Sequence, residues 1–266
     1  MKLPRFRLVL VFAAVAASFI TAGCGPQDSA TTAGSPLEPE LRVGITSNAP
    51  PFAFRQAGSI TGLEPALAAL LGDFLGKRIT FVEVPWEKQL EYLNSGKTDI
   101  VMSGMSITRQ RSSLVNFSKP YLRSGQIMLV RLEDQQRFST GVESLLNTSY
   151  RIGTVADTVS DLFVTAAING ANEIVFAKPQ DAVDALIRKD IDTFVYDAPI
   201  ICYFAARHQQ DNLIPILTMA TEEYIGWAIR TSDTDLLARV NEFIDQISSR
   251  GDLQREINYW IPYLNR

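Results

Sequence analysis

The chain has 266 residues, of which 46% are hydrophobic and 20% are charged, with 25 Lys and Arg residues against 29 Asp and Glu residues. This composition is typical of a globular protein, and the net charge of -4 disfavours a basic nucleic-acid-binding surface. Two Cys residues and one His exclude a disulfide-rich scaffold and are too few for a zinc cluster, so we expect neither a metal nor a cofactor.

The first residues resemble an export signal. A basic start precedes an apolar run over 8–20, which is too short to span a bilayer comfortably. The run ends in Thr21-Ala22-Gly23-Cys24, which is similar to the lipobox of bacterial lipoproteins, in which the cysteine is acylated. We therefore predict a signal peptide over 1–23 and a lipid on Cys24. A soluble secreted protein and an uncleaved anchor are the alternatives.

A flexible linker is predicted after the lipidated cysteine, over 24–40. This segment is rich in Pro, Gly, Ser and Thr and has no apolar period. Lipid on Cys24 would attach the protein to a membrane without a spanning helix. The remaining Cys202 would then have no disulfide partner, and its apolar neighbours predict a small core residue.

From residue 41 onward, short β-rich runs alternate with longer helical stretches, which is typical of parallel sheets covered by helices. The chain is therefore predicted to be α/β. The first series has strands at 42–46, 79–84 and 99–102 and helices at 62–75 and 86–93. The second series has strands at 151–155, 173–176 and 193–196 and helices at 158–168, 181–188 and 198–208.

The two series predict two lobes, each a β-sheet flanked by helices. The extended apolar segments 126–132 and 224–230 would carry the chain between the lobes. Two C-terminal helices, at 236–248 and 253–259, would pack on the first lobe. The predicted division is 41–125 plus 225–266 for lobe 1 and 126–224 for lobe 2. Such lobes form a cleft that can hinge, with ligand sites beyond the carboxyl ends of the strands.

The sequence offers little support for catalysis. It contains no G-x-S-x-G turn and no glycine-rich phosphate-binding motif. The single histidine, His208, lies near the end of a predicted helix and is interpreted as a solvated residue. We therefore predict no catalytic residue and no enzyme activity.

A polar cluster directly follows the strand at 99–102. It runs from Ser103 to Arg111 and combines a glycine, several hydroxyls and an arginine. Such groups can hold an anion, and an arginine can bind a carboxylate through two parallel hydrogen bonds. The alternative is a strand-to-helix turn in which Ser106 or Thr108 caps a short helix and the arginines are solvated.

A second candidate, Asp197, follows the strand at 193–196 and precedes Ala198-Pro199. An aspartate before a proline in a first helical turn is typical of an ordinary helix N-cap. The same position, at the carboxyl end of a strand, also suits contact with a ligand in the cleft. Spacing alone leaves both interpretations open.

Seven short stretches between residues 41 and 266 carry a resemblance through their order and spacing. They are Pro50-Pro51-Phe52, Gly62-Leu63-Glu64, Leu93-Asn94-Ser95-Gly96-Lys97-Thr98-Asp99, Ser106-Ile107-Thr108 with Arg111, Phe117-Ser118-Lys119-Pro120-Tyr121, Ile191-Asp192 with Asp197, and Gly251 with Ile257 and Trp260. In this order they resemble solute-binding protein family 3, the periplasmic receptors that serve ABC importers of polar amino acids. The resemblance implies the type II periplasmic-binding-protein fold, with two lobes that close on a small amino acid zwitterion. It also implies a monomer that delivers its ligand to a permease, in the periplasm or at the outer face of the cell membrane.

The resemblance implies a set of ligand-binding residues by position. Arg111 would hold the α-carboxylate, and Asp197 would hold the α-ammonium, assisted by the Gly104 carbonyl and the Ser106 hydroxyl. Thr158, at the positive end of its helix, would donate to the carboxylate. Ser103 would also line the site, and Trp86 would contact the ligand side chain or serve as a core residue.

Several departures from the family pattern limit the choice of ligand. After Gly62-Leu63-Glu64, Pro65 and Ala66 replace an aliphatic and a second acidic position. Thr46 stands where an acidic residue is common, and Ala49 stands where an aromatic residue often stacks on the ligand. Asp157 replaces the usual glycine before Thr158 and brings a negative charge near the predicted carboxylate site. The residues Val155, Ala156, Tyr196 and Trp86 favour an uncharged, partly apolar pocket over an ionic one.

Two other functions fit the same fold. Periplasmic cyclohexadienyl dehydratases share it, and the chain is similar to them around Ser103-Gly104-Met105-Ser106. Those enzymes are thought to use an acidic residue three places after the strand-end aspartate, where this chain has Ile200. A ligand-sensing subunit of a signalling system is the other alternative.

Overall fold

The computed structural model describes residues 39–262. The predicted signal peptide, the lipid site at Cys24 and the linker as far as residue 38 lie outside the described residues. The first strand begins at Glu40, so the last residue of the predicted linker belongs to a sheet. Within the described range, none of the helices has the length and apolar character needed to cross a bilayer.

The secondary structure follows the predicted order of elements. The strands are β1 Glu40–Ile45, β2 Asn48–Ala49, β3 Ala53–Gln56, β4 Ser59–Thr61, β5 Arg78–Glu83, β6 Ile100–Val101, β7 Asn116–Phe117, β8 Leu122–Ser124, β9 Gln126–Arg131, β10 Arg151–Val155, β11 Asn172–Phe176, β12 Thr193–Asp197, β13 Leu213–Ile216, β14 Glu223–Ile225 and β15 Ala228–Ile229. The helices are α1 Leu63–Leu75, α2 Gln89–Asn94, α3 Arg109–Ser112, α4 Val159–Ala167, α5 Pro179–Ile187, α6 Ala198–Arg207, α7 Thr234–Ser249 and α8 Asp252–Trp260. The predicted helix at 86–93 is divided, because its first turn, Trp86–Lys88, is a 3-10 helix.

Two mixed sheets of the same design form the two lobes, which confirms the predicted fold class. The first sheet has the order β5-β1-β6-β15-β7, and the second has the order β11-β10-β12-β9-β13. In each sheet the first three strands of that order are parallel. The remaining neighbours are antiparallel. The carboxyl ends of β6 and β12, which precede the two polar clusters, therefore face the cleft.

The chain crosses between the sheets through β8 and β14, which form an antiparallel pair. The predicted crossing at 126–132 is wrong, because β9 is an interior strand of the second sheet. The predicted crossing at 224–230 is correct only at Tyr224 and Ile225, which belong to β14, because β15 lies inside the first sheet. A continuous apolar run such as that of β9 is typical of a strand buried on both faces. The crossing strands instead alternate between buried and exposed residues. The division at 125/126 and 224/225 stays our proposed lobe boundary.

An arginine–aspartate pair holds the third strand of each series against the first. Arg42 and Asp99 form an ion pair of 2.6 Å in the first lobe, and Arg151 and Asp192 form one of 2.8 Å in the second. Each aspartate also accepts the backbone N–H of its arginine. These bonds fix the register that sets the two polar strand ends at the cleft.

The helices cover the sheets and bury their apolar faces. α7 and α8 pack against α1, as predicted for the C-terminal helices. Cys202 lies in the main apolar cluster with an exposed fraction of 6%. Burial raises the pKa of its thiol to about 11. Cys202 therefore belongs to the core, as its apolar neighbours predict.

Candidate functional site

A cavity between the two lobes brings together all seven predicted site residues: Trp86, Ser103, Gly104, Ser106, Arg111, Thr158 and Asp197. It encloses about 500 Å³, counting its open mouth. The same cavity is lined by residues that the sequence analysis did not assign to the site: Asn48, Phe52, Val159, Ala177 and Pro179.

Arg111 presents its charge to this cavity from the short helix α3. Its guanidinium donates hydrogen bonds to the carbonyl oxygens of Ser106 at 3.0 Å and Asp157 at 3.3 Å, and it lies 5.1 Å from the centre of the Trp86 ring. Thr108 caps the helix by accepting the backbone N–H of Arg111 at 3.2 Å. The capped turn of the alternative interpretation is therefore present, but Arg111 lines the cavity and is not a solvated residue.

The positive charge of Arg111 is not neutralised by an ion pair within residues 39–262. Burial lowers the pKa of the guanidinium below its ordinary value, while the nearby Asp197 opposes that change. An arginine remains protonated under such conditions. The site therefore holds a cation whose remaining donors can bind an anion.

Asp197 lies on the opposite wall, where β12 ends and α6 begins. Its side chain makes no capping hydrogen bond with α6. One oxygen accepts a hydrogen bond of 2.6 Å from the Gln126 amide. Burial away from bulk water is the main cause that raises the pKa of Asp197 to about 7, and repulsion from Glu223 is the second. The Gln126 hydrogen bond and the Arg111 charge oppose this shift. The carboxyl group thus faces the cavity as a hydrogen-bonding partner and not as a helix cap.

A neutral polar network forms the floor of the cavity in the first lobe. The Ser103 hydroxyl accepts the Thr46 backbone N–H at 2.9 Å, and buried Gln89 donates to the Thr46 hydroxyl at 2.8 Å. The Thr46 hydroxyl in turn donates to the Val84 carbonyl at 2.9 Å. The position at which the family often has an acidic residue is therefore occupied by an uncharged group with its hydrogen bonds satisfied.

The Thr158 hydroxyl, predicted to donate to the ligand carboxylate, and the Ser106 hydroxyl, predicted to assist at the ammonium, both donate their protons to the protein. The Ser106 hydroxyl donates to Glu223 at 2.6 Å, and the Thr158 hydroxyl donates to the Val155 carbonyl at 2.6 Å. Each hydroxyl has a single proton to donate, so these bonds leave their oxygen atoms as acceptors only. The backbone N–H groups at the start of α4, which have no intrahelical partner, remain as donors to an anion.

A buried carboxyl group supports Gly104 from behind. Glu64 is fully buried and accepts hydrogen bonds from the Gly104 N–H at 2.7 Å, the Tyr121 hydroxyl at 2.6 Å and the Trp227 indole at 2.8 Å. Burial raises the pKa of Glu64 to about 7, although all three donors oppose that shift. The sequence offered Glu64 only as part of the Gly62-Leu63-Glu64 stretch.

The two lobes meet directly over the cavity at Asp157. The Trp86 indole N–H donates to the Asp157 carbonyl at 3.0 Å, and the same carbonyl accepts the bond from Arg111. Asp157 has a φ of +59°, in the left-handed region where glycine is favoured and aspartate is tolerated. Trp86 also packs on a small apolar cluster of the first lobe. Both predicted roles of Trp86, in the core and in the cavity, are thus visible.

Two polar residues next to the site were missed by the sequence analysis. Gln126 is fully buried at the start of β9, and Glu223 on β14 has an exposed fraction of 7%. The alternation of β14 is the signal that could have found Glu223, because it places this residue on the same face as buried Ile225. Within the described part of the chain, no group of three or more His, Cys, Asp or Glu side chains is arranged to hold a metal ion.

A model of the bacterial extracellular solute-binding proteins, family 3, matches residues 41–263. Among individual relatives, the probable histidine-binding protein of Neisseria gonorrhoeae is 25% identical over 252 residues, which cover 92% of each chain. The cyclohexadienyl dehydratase of Pseudomonas aeruginosa is 31% identical over 235 residues, which cover 84% of this chain and 83% of the enzyme.

A similar solved structure comes from an ancestral amino acid-binding protein that is a precursor of cyclohexadienyl dehydratase. It is 30% identical to this chain, with a TM-score of 0.77, and the match covers 84% of this chain and 95% of that one. Binding proteins and an enzyme therefore occur among proteins with this fold and comparable identity. The residues of the cavity must distinguish between them.

Proposed function

The chain belongs to the bacterial extracellular solute-binding proteins of family 3, and we propose that its solute is an α-amino acid with an uncharged side chain, which it delivers to an ABC importer. One observation carries the proposal. Arg111 of the first lobe and Asp197 of the second line the same cavity, and neither forms an ion pair with any of the described residues. A zwitterion would supply both missing partners and connect the two lobes.

The carboxylate of the ligand is assigned to Arg111 and to the N-terminus of α4. Arg111 supplies a fixed positive charge, and the first turn of α4 supplies unpaired N–H groups and the positive end of a helix dipole. Thr158 and Val159, which begin this helix, both line the cavity. The ammonium group is assigned to Asp197 and the Gly104 carbonyl.

The ligand side chain is assigned to the neutral part of the cavity. Thr46, Asn48, Ala49, Phe52 and Trp86 line this region, and none carries a charge. A cationic side chain would lose its hydration there without gaining a partner, which is costly. This composition supports an aliphatic, aromatic or small polar amino acid over a basic or acidic one.

The energetics are consistent with a transport receptor. Micromolar affinity requires about -8 kcal/mol. Two charge-assisted contacts and apolar burial can supply this amount after the costs of desolvation and closure. Bonds across the lobes at Asp157 already favour the closed arrangement, so a ligand needs only to shift an existing equilibrium.

Titration calorimetry with the twenty amino acids at about pH 8 tests the proposal. We expect micromolar binding of one or a few neutral amino acids. The matching keto acid and the matching amine, each of which lacks one charged pole, should bind at least about a hundredfold more weakly. Absence of binding at millimolar concentration for all twenty would refute the proposal.

The dehydratase relative makes an enzyme the second candidate. Ile200 lines the cavity with an exposed fraction of 2%, at the position where the resemblance to the dehydratases would require an acidic residue. An apolar side chain cannot transfer a proton, so we propose a binding protein without enzyme activity. An absorbance assay with prephenate and arogenate is expected to show no product, and enzyme-like turnover would reverse the choice.

Membrane attachment through Cys24 also stays a proposal, because that residue lies outside the described part of the chain. Expression of the full chain in a bacterium with a labelled fatty acid should label the wild type and not the Cys24→Ser variant. Equal labelling of the two would remove the lipid from the proposal. Gel filtration of the soluble body should show the monomer that we propose.

A further inference from the structure

We propose that Asp197 and Glu223 act as one acidic pair, which holds a proton while the cleft is empty and releases it to solvent when the ligand ammonium arrives. This inference rests on the proposed function, because it concerns the ammonium end of the same site. It assigns to Glu223 the role of a positioning and specificity-determining residue. It also makes the affinity for an amino acid depend on pH near neutrality.

A single amide connects the two carboxyl groups. The Gln126 Nε2 atom lies 2.6 Å from an Asp197 oxygen and 2.9 Å from a Glu223 oxygen. Gln126 is fully buried, and its own carbonyl oxygen accepts no hydrogen bond within residues 39–262. Two acids therefore share a neutral donor, and the amide oxygen beside them has an unfilled place for one more proton donor.

Glu223 is held rigidly in this position by hydroxyl groups. It accepts 2.6 Å hydrogen bonds from both Ser106 and Thr221. Ser106 belongs to the first lobe, and Glu223 belongs to β14, one of the two crossing strands. Gln126, directly after the other crossing strand, belongs to the second lobe. The pair therefore lies where the two lobes connect.

Positive charge around the pair is scarce. The groups that act on Asp197 are Glu223 from β14, the Gln126 amide from β9 and Arg111 from α3. Tyr196 precedes it on β12, and Asp157 faces Arg111 from the loop before α4. Arg111 is the only cation in this set, and we assign it to the ligand carboxylate. Burial and the negative charge of Glu223 together raise the pKa of Asp197 to about 7.

The direction of the linkage follows from these charges. An ammonium group beside Asp197 stabilises the ionised carboxylate, so binding is accompanied by loss of the proton to solvent. A group that titrates near pH 7 in the empty site weakens binding below that pH. With full ionisation in the complex, the Kd should be about tenfold lower at pH 8 than at pH 6. Calorimetry at pH 7 in buffers of different ionisation enthalpy should show release of about half a proton.

Glu223→Gln is the decisive variant. It retains the shape and a hydrogen-bonding group but removes the charge, while the burial of Asp197 remains. The tenfold difference in Kd should fall to about threefold or less. Glu222→Gln is the matched control, because Glu222 directly precedes Glu223 in the sequence and is exposed. It should keep the wild-type pH dependence. Equal pH dependence in Glu223→Gln and the wild type would overturn the proposal.

Variants at two other residues test whether the proton release belongs elsewhere in the molecule. Glu64 lies behind Gly104, and its pKa is also raised to about 7. His208 is the single histidine of the chain. If Glu64→Gln or His208→Gln abolishes the proton release, the linkage belongs to that residue and the acidic pair is refuted. Proton release that persists in both variants supports the pair.

An experiment on the empty protein separates this inference from the proposed function. Infrared difference spectra with isotope-labelled aspartate should show a protonated carboxylic acid at about pH 6 that ionises by about pH 8. The band should be missing in Asp197→Asn and reduced at pH 6 in Glu223→Gln. Its absence from the wild type would refute the acidic pair even where an amino acid binds. Its presence would support the pair even if no amino acid binds.

Discussion

Replacement of Arg111 by methionine tests the central contact of the proposed site. Methionine approximates the unbranched stem of arginine as far as Nε and removes the charge and all the guanidinium donors. In the structure, the guanidinium donates hydrogen bonds to the carbonyl oxygens of Ser106 and Asp157 and lies over the Trp86 ring. It forms no ion pair among residues 39–262. The ligand carboxylate would therefore lose its main charged partner.

The expected loss follows from the environment of this group. Removing one partner of a buried, hydrogen-bonded charge pair costs about 2–5 kcal/mol in binding. Arg111 is partly buried, so we expect about 3 kcal/mol, which weakens the Kd by about 150-fold. Arg111→Lys should be intermediate, because an ammonium keeps the charge but cannot form two parallel hydrogen bonds. The free energy of unfolding should fall by only about 1 kcal/mol, because the hydrogen bond to the Ser106 carbonyl is lost.

Titration calorimetry with the best amino acid gives the Kd, and urea unfolding gives the stability of each variant. Arg109→Met is the matched control, because Arg109 is an exposed arginine on the same short helix. It should bind as the wild type does. A folded Arg111→Met protein whose Kd stays within threefold of the wild type would show that the carboxylate is held elsewhere.

Three further predictions concern residues around the site. Trp86→Phe keeps an aromatic ring but loses the hydrogen bond to the Asp157 carbonyl, so calorimetry should show about fivefold weaker binding. Unchanged affinity would contradict the role of this contact in closure. Gly104→Ala places a Cβ atom 2.7 Å from the Phe52 ring at a backbone φ of +66°. Urea unfolding should therefore show a free energy of unfolding about 2–4 kcal/mol lower than that of the wild type. Wild-type stability would contradict this close packing. The Glu64 pKa is about 7 in the folded protein against 4.5 ordinarily, so its stabilising contribution is present below 4.5 and is lost as the pH rises through 7. The free energy of unfolding should therefore fall by about 3 kcal/mol more in the wild type than in Glu64→Gln between about pH 4 and pH 8, and equal falls would refute the assignment.

The order of elements could be predicted because it depends on local patterns. The strand expected at 151–155 is β10 itself, and the helix expected at 158–168 is α4 with one residue fewer at each end. Apolar spacing, turn residues and helix caps act over a few residues, so they are legible without the partner elements. The prediction failed for 126–132, because an apolar extended run is the same whether it crosses between lobes or lies inside a sheet.

The two charged residues of the site could also be predicted from the sequence, but the residues that surround them could not. Arg111 and Asp197 could be chosen because each follows a strand that ends at the cleft, and the family resemblance strengthened the choice. The Thr158 hydroxyl was expected to donate to the ligand carboxylate, whereas it donates to the Val155 carbonyl. The Ser106 hydroxyl donates to Glu223 and keeps only its acceptor role toward the ammonium. Which acceptor a hydroxyl chooses depends on neighbours that are remote in sequence.

The amino-acid sequence by itself determined the α/β class, the two series of strands and helices, and the chemical identity of the two opposite charges. Only the tertiary structure decided that Gln126 and Glu223 lie against Asp197 and that Glu64 lies beneath Gly104. Local conformation follows from short-range sterics and burial patterns. The protonation of a carboxyl group instead follows from how far water is excluded and which charges remain close, and both are set by chain segments that meet only on folding.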